Sequence, residues 1–255
     1  MARNFRIDKS VALFSGVVGL AICAPAIAQS NSFEGPYVGL AIGYSESSVK
    51  EGPAFWSQVG QIDFVGTGGE NSRATGAIGG IRLGYDWRFD SITFGVDVSG
   101  DWLDGSANGI VLSFDETLGG PSDRVASSTK LKSIVAIKPK LGLVLDDQTR
   151  IYGMAGIATG RVSRTITGLP GTTGDVVLDP GVSDSSSKWM TGYTVGLGVE
   201  RVIAHRFSLT LEFNYIDFGS ADFTYGGTTF GIPSTMVQSV KVTNSATTLG
   251  LIYRF

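Results

Sequence analysis

Ten charged residues occupy alternate positions within otherwise apolar segments of this 255-residue chain. They are Arg82, Asp86 and Arg88, then Asp97 and Asp101, Lys138 and Lys140, Glu200, Glu212, and Arg254. Five are basic and five acidic. Charges removed from water need partners. A balanced set can therefore pair into a static network, line a narrow path for ions, or hold a proton between two carboxylates. Pairing is the expected use. Few other groups could carry a reaction, because the chain has 1 Cys (Cys23) and 1 His (His205). A Ser–His–acid relay needs the imidazole beside a serine, and His205 instead neighbours Arg206 in a short break between apolar runs. No H-E-x-x-H, C-x-x-C, G-x-S-x-G or phosphate-loop spacing occurs. The stretch Gly66-Thr67-Gly68-Gly69 stands alone in a polar segment and reads as a turn. The chain is expected to be no enzyme and to carry no cofactor and no metal.

The elements that position these charges are strands. From Ile92 to Trp102 one face carries Ile92, Phe94, Val96, Val98, Gly100 and Trp102, and the other Thr93, Gly95, Asp97, Ser99 and Asp101. Successive strand side chains point to opposite faces, so this strand is apolar on one side and polar or small on the other. The same alternation runs through Val38–Tyr44, Ile81–Trp87, Ile137–Leu145, Tyr193–Glu200, Phe207–Tyr215 and Leu249–Phe255. Arg150–Val162 is a strand by its place between two others, but its small residues do not disclose which face is which. Short breaks fall near Phe89-Asp90, Asp146-Asp147-Gln148 and Ala204-His205. Long polar segments fall at about Ser45–Arg73, Leu103–Lys130, Ser163–Lys188 and Phe218–Val240. Seven connections imply eight strands.

Residues 1–28 stand apart. Arg3, Arg6 and Lys9 precede an apolar run from Val11 to Cys23, and Ala26-Ile27-Ala28 is an A-x-A cleavage pattern. That is a secretory signal peptide, leaving 29–255 as the folded domain. Ile22 stands where a small residue would have to precede an acylated Cys23, so lipidation is not expected. Cleavage removes the only thiol. It also takes three basic residues and only Asp8, so the whole-chain charge of −3 becomes more negative. Nucleic-acid binding usually needs a basic patch and is not expected. No later segment approaches the ~18 apolar residues of a membrane helix.

A soluble β-sandwich also alternates. Two features decide against it. The apolar face is nearly unbroken, while the opposite face holds charges in mid-strand. Aromatic residues gather at strand ends: Tyr37, Trp87, Phe207, Tyr253 and Phe255 near the short connections, and Tyr44, Trp102, Trp189 and Tyr215 near the long ones. Rings of this kind favour membrane–water interfaces. The expected fold is all-β, an eight-stranded antiparallel transmembrane up-and-down β-barrel with four long extracellular loops. Glycine is abundant (36 residues), and Gly39, Gly43, Gly84, Gly95, Gly142, Gly196, Gly198 and Gly250 fall on the polar face. Inside a narrow barrel they leave room for long charged side chains.

Gly192–Glu200 followed by Phe207–Gly219 resembles the late strands of small OmpA-like outer-membrane proteins, nearest to the porin-family or immunogenic outer-membrane proteins of alphaproteobacteria. Gly84-Tyr85-Asp86-Trp87 and Phe94-Gly95-Val96-Asp97 are similar to the second hairpin of that family. Leu249, Leu251, Tyr253 and Phe255 resemble the C-terminal signal read by the barrel-assembly machinery. The resemblance implies location in the bacterial outer membrane. Arg201 departs from it, standing where relatives carry an aromatic. Larger relatives add a peptidoglycan-binding domain, and that role is not carried over.

Together these readings imply an outer-membrane structural and surface-interaction barrel with a lumen filled by side chains. A narrow low-conductance porin or passive transporter is the alternative, and an outer-leaflet lipid-modifying enzyme is a more remote one, since His205 falls at the short-turn end. Expected partners are outer-membrane lipid and the barrel-assembly machinery. Host surface or haem are candidates for the long loops, where Phe55, Trp56 and Phe64 lie; relatives include haem binders, yet no second His or remaining Cys offers a ligand.

Overall fold

The computed structural model describes residues 33–58, 61–66, 71–115, 120–169, 181–229 and 232–255. The expected signal peptide with Cys23, Ala26 and Ala28, the residues Thr67, Gly68 and Gly69, and the side chains of Trp56 and Phe64 lie outside the described residues.

Ten antiparallel strands form one sheet: β1 (Gly35–Gln58), β2 (Gln61–Gly66), β3 (Ser72–Phe89), β4 (Ile92–Asp104), β5 (Ala107–Asp115), β6 (Gly120–Asp146), β7 (Thr149–Gly168), β8 (Ser183–Ala204), β9 (Phe207–Thr229) and β10 (Ile232–Arg254). The ring runs β1-β3-β4-β6-β7-β8-β9-β10 and closes where β10 pairs with β1, from Tyr37↔Arg254 up to Gln58↔Ser234. The two additional strands do not enlarge the ring. β2 pairs with β1 above the point where β3 begins, and β5 pairs with β6 above the point where β4 ends. Each prolongs its neighbour, so there are eight strand lines, two of them interrupted. Closure removes the unpaired edges that would invite aggregation.

The short connections are two-residue turns between Phe89 and Ile92, Asp146 and Thr149, and Ala204 and Phe207. Asp90 adopts φ 56 in the first, a left-handed conformation that Asp tolerates better than most residues. Pro139 cannot donate to a ladder, and the β6–β7 pairing skips from Ile137↔Ile157 to Lys140↔Met154 around it.

Where they are described, the four long polar segments are largely strand rather than loop, which corrects the expectation from sequence. β6 has 27 residues, β1 has 24, and β9 and β10 have 23 each. A tilted strand crosses a bilayer in ~9–11 residues, so roughly half of each line rises beyond the membrane. On β10 the inside–outside parity is unchanged along the way, but its chemistry reverses. On β10 the lower inward residues are Asn244, Thr248 and Arg254, with Leu249 and Leu251 outward. Higher up, Met236, Val240 and Val242 are buried inside while Ser239, Lys241 and Thr243 face outward. The extension therefore has an apolar core, built from Val49, Val125, Ile134, Val162, Ile166, Phe218, Phe223, Met236 and Val240 among others. Water surrounds it outside, so burying apolar residues inside is the favourable arrangement.

Candidate functional site: the barrel interior

Within the membrane band the outward face is aliphatic and exposed, as at Leu40, Ile42, Leu141, Ile157, Leu197 and Leu211. The inward face holds the charges. Asp86 is fully buried. Its Oδ2 accepts from Arg150 Nη2 at 2.6 Å and from Arg254 Nη1 and Nη2 at 3.2 and 3.1 Å. Lys140 Nζ lies 3.3 Å from its Oδ1. Glu200 Oε2 accepts from Arg150 Nε and Nη2 at 3.0 and 2.6 Å, and its Oε1 from Arg254 Nη2 at 3.0 Å. Arg150 and Arg254 thus join the two carboxylates into one cluster. Further up, Lys138 Nζ is 3.2 Å from Asp97, and Arg82 Nη1 donates to Asp101 at 2.7 Å while its Nε lies 3.8 Å from Glu212.

Two tyrosines stitch the network. The Tyr37 hydroxyl donates to Asp97 Oδ2 at 2.9 Å and accepts from Lys140 Nζ at 2.5 Å. The Tyr152 hydroxyl donates to Glu212 Oε1 at 2.7 Å. Each ring lies across a glycine on the next strand. Tyr37 is paired with Gly84, which is paired with Asp97. Tyr152 is paired with Gly198, which is paired with Glu212. A Cβ at Gly84 or Gly198 would enter the tyrosine ring. The two halves of the barrel therefore repeat one device: a tyrosine crosses a glycine to reach a carboxylate two strands away. Below, Phe33 is 1% exposed and its ring lies 5.1 Å from the Arg150 guanidinium.

Sequence reasoning and structure differ at three places. Arg88 is not in the network: it lies one residue from the first turn, and its Nε donates to the Asp90 carbonyl at 2.8 Å. Its place is taken by Arg150, whose face could not be read because Gly153, Ala155, Gly156 and Ala158 give β7 little contrast. Exchanging Arg88 for Arg150 leaves five bases and five acids in the network, so the charge count could not tell the two apart. Tyr37 is not part of the lower aromatic girdle, being 3% exposed and inside the barrel. The other lower rings do face outward and touch: Trp87 stacks on Phe94 at 5.8 Å, and Tyr253 meets Phe207 and Phe255 at 5.2 and 5.1 Å. Leu249, Leu251 and Phe255 are exposed on the same wall. Arg201 is exposed and donates to Thr149 Oγ1 at 3.3 Å across the β7–β8 pair. His205 sits in the third two-residue turn.

Above the charged layers lies a cavity of about 20 Å³, lined by Arg82, Asp101, Lys138 and Asn214 below and by Ile78, Ile134 and Ile216 above. That is room for about one water molecule. Higher still, within the extension, Glu51 and Arg164 form a second buried pair at 2.7 Å. Arg164 also donates to Gln238 Oε1 at 2.5 Å, and Ser127 Oγ donates to Glu51 at 2.6 Å. Burial pushes the neighbouring Tyr225 hydroxyl up to about 12, against the opposing pull of Arg164. Among the described residues no group of His, Cys, Asp and Glu is arranged to hold a metal.

Residues 14–255 match the family model described as the outer membrane protein beta-barrel domain. This chain belongs to that family. The outer-membrane β-barrel protein is 25% identical over 235 residues to the 31 kDa outer-membrane immunogenic protein of Brucella melitensis, covering 91% of this chain and 88% of the relative. It is 28% identical over 163 residues to the 22 kDa outer membrane protein of Rhizobium leguminosarum, covering 62% and 61% of the two chains. Among solved structures the barrel resembles the outer membrane protease OmpT of Escherichia coli, with a TM-score of 0.52 at 9% identity over 90% of this chain and 99% of that one. At that identity the likeness is one of fold alone. The family and its relatives place the protein in the bacterial outer membrane.

Proposed function

We propose that this protein is a structural and surface-interaction barrel of the outer membrane whose lumen is a packed interior rather than a conduit, and that it catalyses no reaction. The carrying observation is the sequence of layers along the barrel axis. Phe33 and the Arg150–Asp86–Arg254–Glu200 cluster come first, then the pairs around Asp97 and Asp101, the cavity of about 20 Å³, and finally the apolar core of the extension. An ion crossing it would have to separate buried pairs, each costing several kcal/mol to break, and then enter an apolar core. Eight strands enclose an interior just wide enough for side chains to fill, which agrees.

The extension then serves as the working surface. It raises a rigid wall of Ser, Thr and charged side chains above the membrane, and rigid scaffolds are what binding surfaces need. The name of the Brucella relative speaks of immunogenicity, which fits a surface exposed to a host. Outer-membrane lipid and the barrel-assembly machinery are the partners this reading requires, with host surface or haem as the candidates at the outer end. Planar-bilayer recording tests the closed lumen: the folded protein is expected to add no reproducible conductance steps. Uniform, long-lived open channels overturn the reading in favour of a narrow pore.

A further inference from the structure

We propose that Lys130, Lys132 and Arg161, on the outer wall of β6 and β7, form a docking site for the phosphate groups of an outer-leaflet glycolipid. The inference rests on the membrane orientation above, with the extended end outward. One rung of the sheet runs Trp102↔Ser133↔Arg161↔Trp189 across β4, β6, β7 and β8. Both tryptophans face outward, 51% and 58% exposed. Tryptophan settles at the level of lipid head groups, so Arg161, bracketed by two of them, lies at that depth. In its own column Thr159 and then Ile157, 59% exposed, continue down into the aliphatic band. A lipid seated here would find cations at its head and a hydrocarbon wall at its tails.

A β-bulge delivers the second cation. The β6–β7 register passes from Leu131↔Val162 to Ser133↔Arg161, leaving Lys132 as an extra residue. Bulges re-aim side chains. Here the bulge turns Lys132 outward beside Ser133, both opposite Arg161. Lys130 is outward too and pairs with Ser163, two residues above Arg161. Diagonal neighbours on adjacent strands are about 7–8 Å apart, within reach of one phosphate for side chains of this length. Arg adds a planar fork suited to phosphate oxygens.

These cations differ from Arg73 and Lys241, which also stand on the outer wall. Arg73 pairs with Glu46 at 3.5 Å and Lys241 with Asp217 at 2.9 Å. Among the described residues no ion pair engages Lys130, Lys132 or Arg161. Asp104, at the end of the adjoining β4, forms none with them. Three cations at phosphate depth without an internal counter-charge are complementary to an anionic head group.

The test is native mass spectrometry of the folded protein in detergent, titrated with diphosphorylated lipid A and with the same lipid lacking both phosphates. Each cation near an anionic lipid surface contributes about fivefold in affinity, so the native protein should retain the phosphorylated lipid of order 100-fold better. The Lys130→Gln/Lys132→Gln/Arg161→Gln variant should lose that preference, while Arg73→Gln/Lys241→Gln should keep it. Folding of both is checked by heat-modifiable gel migration. Equal retention of the two lipids by the native protein overturns the proposal without any variant. So does an equal loss in the Arg73/Lys241 variant, or binding of inorganic phosphate alone as tight as that of the lipid.

Discussion

Replacing Arg150 by Met tests whether the interior network holds the barrel together. Arg150 is 1% exposed, makes two contacts of 2.6 Å to Asp86 and Glu200, and donates at 3.3 Å to Thr93 Oγ1. At an effective dielectric of ~20, two unit charges that close attract by roughly 6 kcal/mol. Most of this is offset by the water the three groups gave up on burial. What decides the net effect is that Met leaves the five buried carboxylates of the network facing only Arg82, Lys138, Lys140 and Arg254, so one negative charge is uncompensated. Removing one partner of a buried pair costs about 3–5 kcal/mol. The expected result is a loss of that size in urea unfolding of the protein refolded into lipid vesicles, followed by tryptophan fluorescence. Arg88→Met is the comparison, because that guanidinium sits at the turn, and it should cost under about 1 kcal/mol. The double variant Arg150→Met/Glu200→Gln restores charge balance and should recover part of the loss. If Arg150→Met costs no more than Arg88→Met, the network is not what stabilises the interior and the reasoning fails.

Other expectations follow from separate features. Gly198→Val drives a branched side chain into the Tyr152 ring and should lower stability by about 1–3 kcal/mol in the same assay; the double variant Gly198→Val/Tyr152→Ala should regain some of it if the clash is the cause. Leu211→Arg places a cation on the lipid-facing wall and should cost about 2–4 kcal/mol, whereas Thr243→Arg, outward on the extension, should be near neutral; equal losses would contradict the assigned membrane band. Phe223→Ala empties a fully buried site in the apolar core of the extension and should cost about 3–5 kcal/mol, read as faster proteolysis of the extension in intact cells. At the outer rim, the Asp217 carboxyl is held below its ordinary value by Lys241, and further by the Gly219 N–H. A depressed carboxyl contributes stability above its unfolded value of about 4 and loses it as pH falls through the folded value. Acidification below pH 4 should therefore weaken native protein more than Asp217→Asn, and identical acid profiles would remove the pair from the account.

The strands of the membrane band were legible because two demands coincide there. Lipid requires Leu, Ile and Phe on one face, and a narrow lumen requires Gly or a paired charge on the other, as Ile92–Trp102 displays. The network was legible as a set of types and parities, but not as a set of partners. Parity alone could not tell that Arg88 lies past the rim while Arg150 lies within reach of Asp86. Tyr37 misled because an aromatic near a strand end resembles a girdle residue; its odd-numbered position, shared with Gly39 and Ala41, was the better signal. The extension was read as loop because Ser, Thr and small apolar residues alternate there with low contrast. Thr235, Val237 and Ser239 beside Met236, Gln238 and Val240 look like polar coil until the neighbouring strand is known.

The reversal of chemistry along strand lines such as β7 and β10 has a consequence for assembly. In most sheets a one-residue slip in pairing exchanges the two faces and is opposed by a single solvent. Here a slip would be opposed by two at once. In the lower half it would turn Arg150 or Arg254 toward hydrocarbon, and in the upper half it would turn Val162 or Met236 toward water. No misregistered pairing can satisfy one half by sacrificing the other. The strands thus carry their own proofreading, with the membrane checking one end of each and the aqueous exterior checking the other.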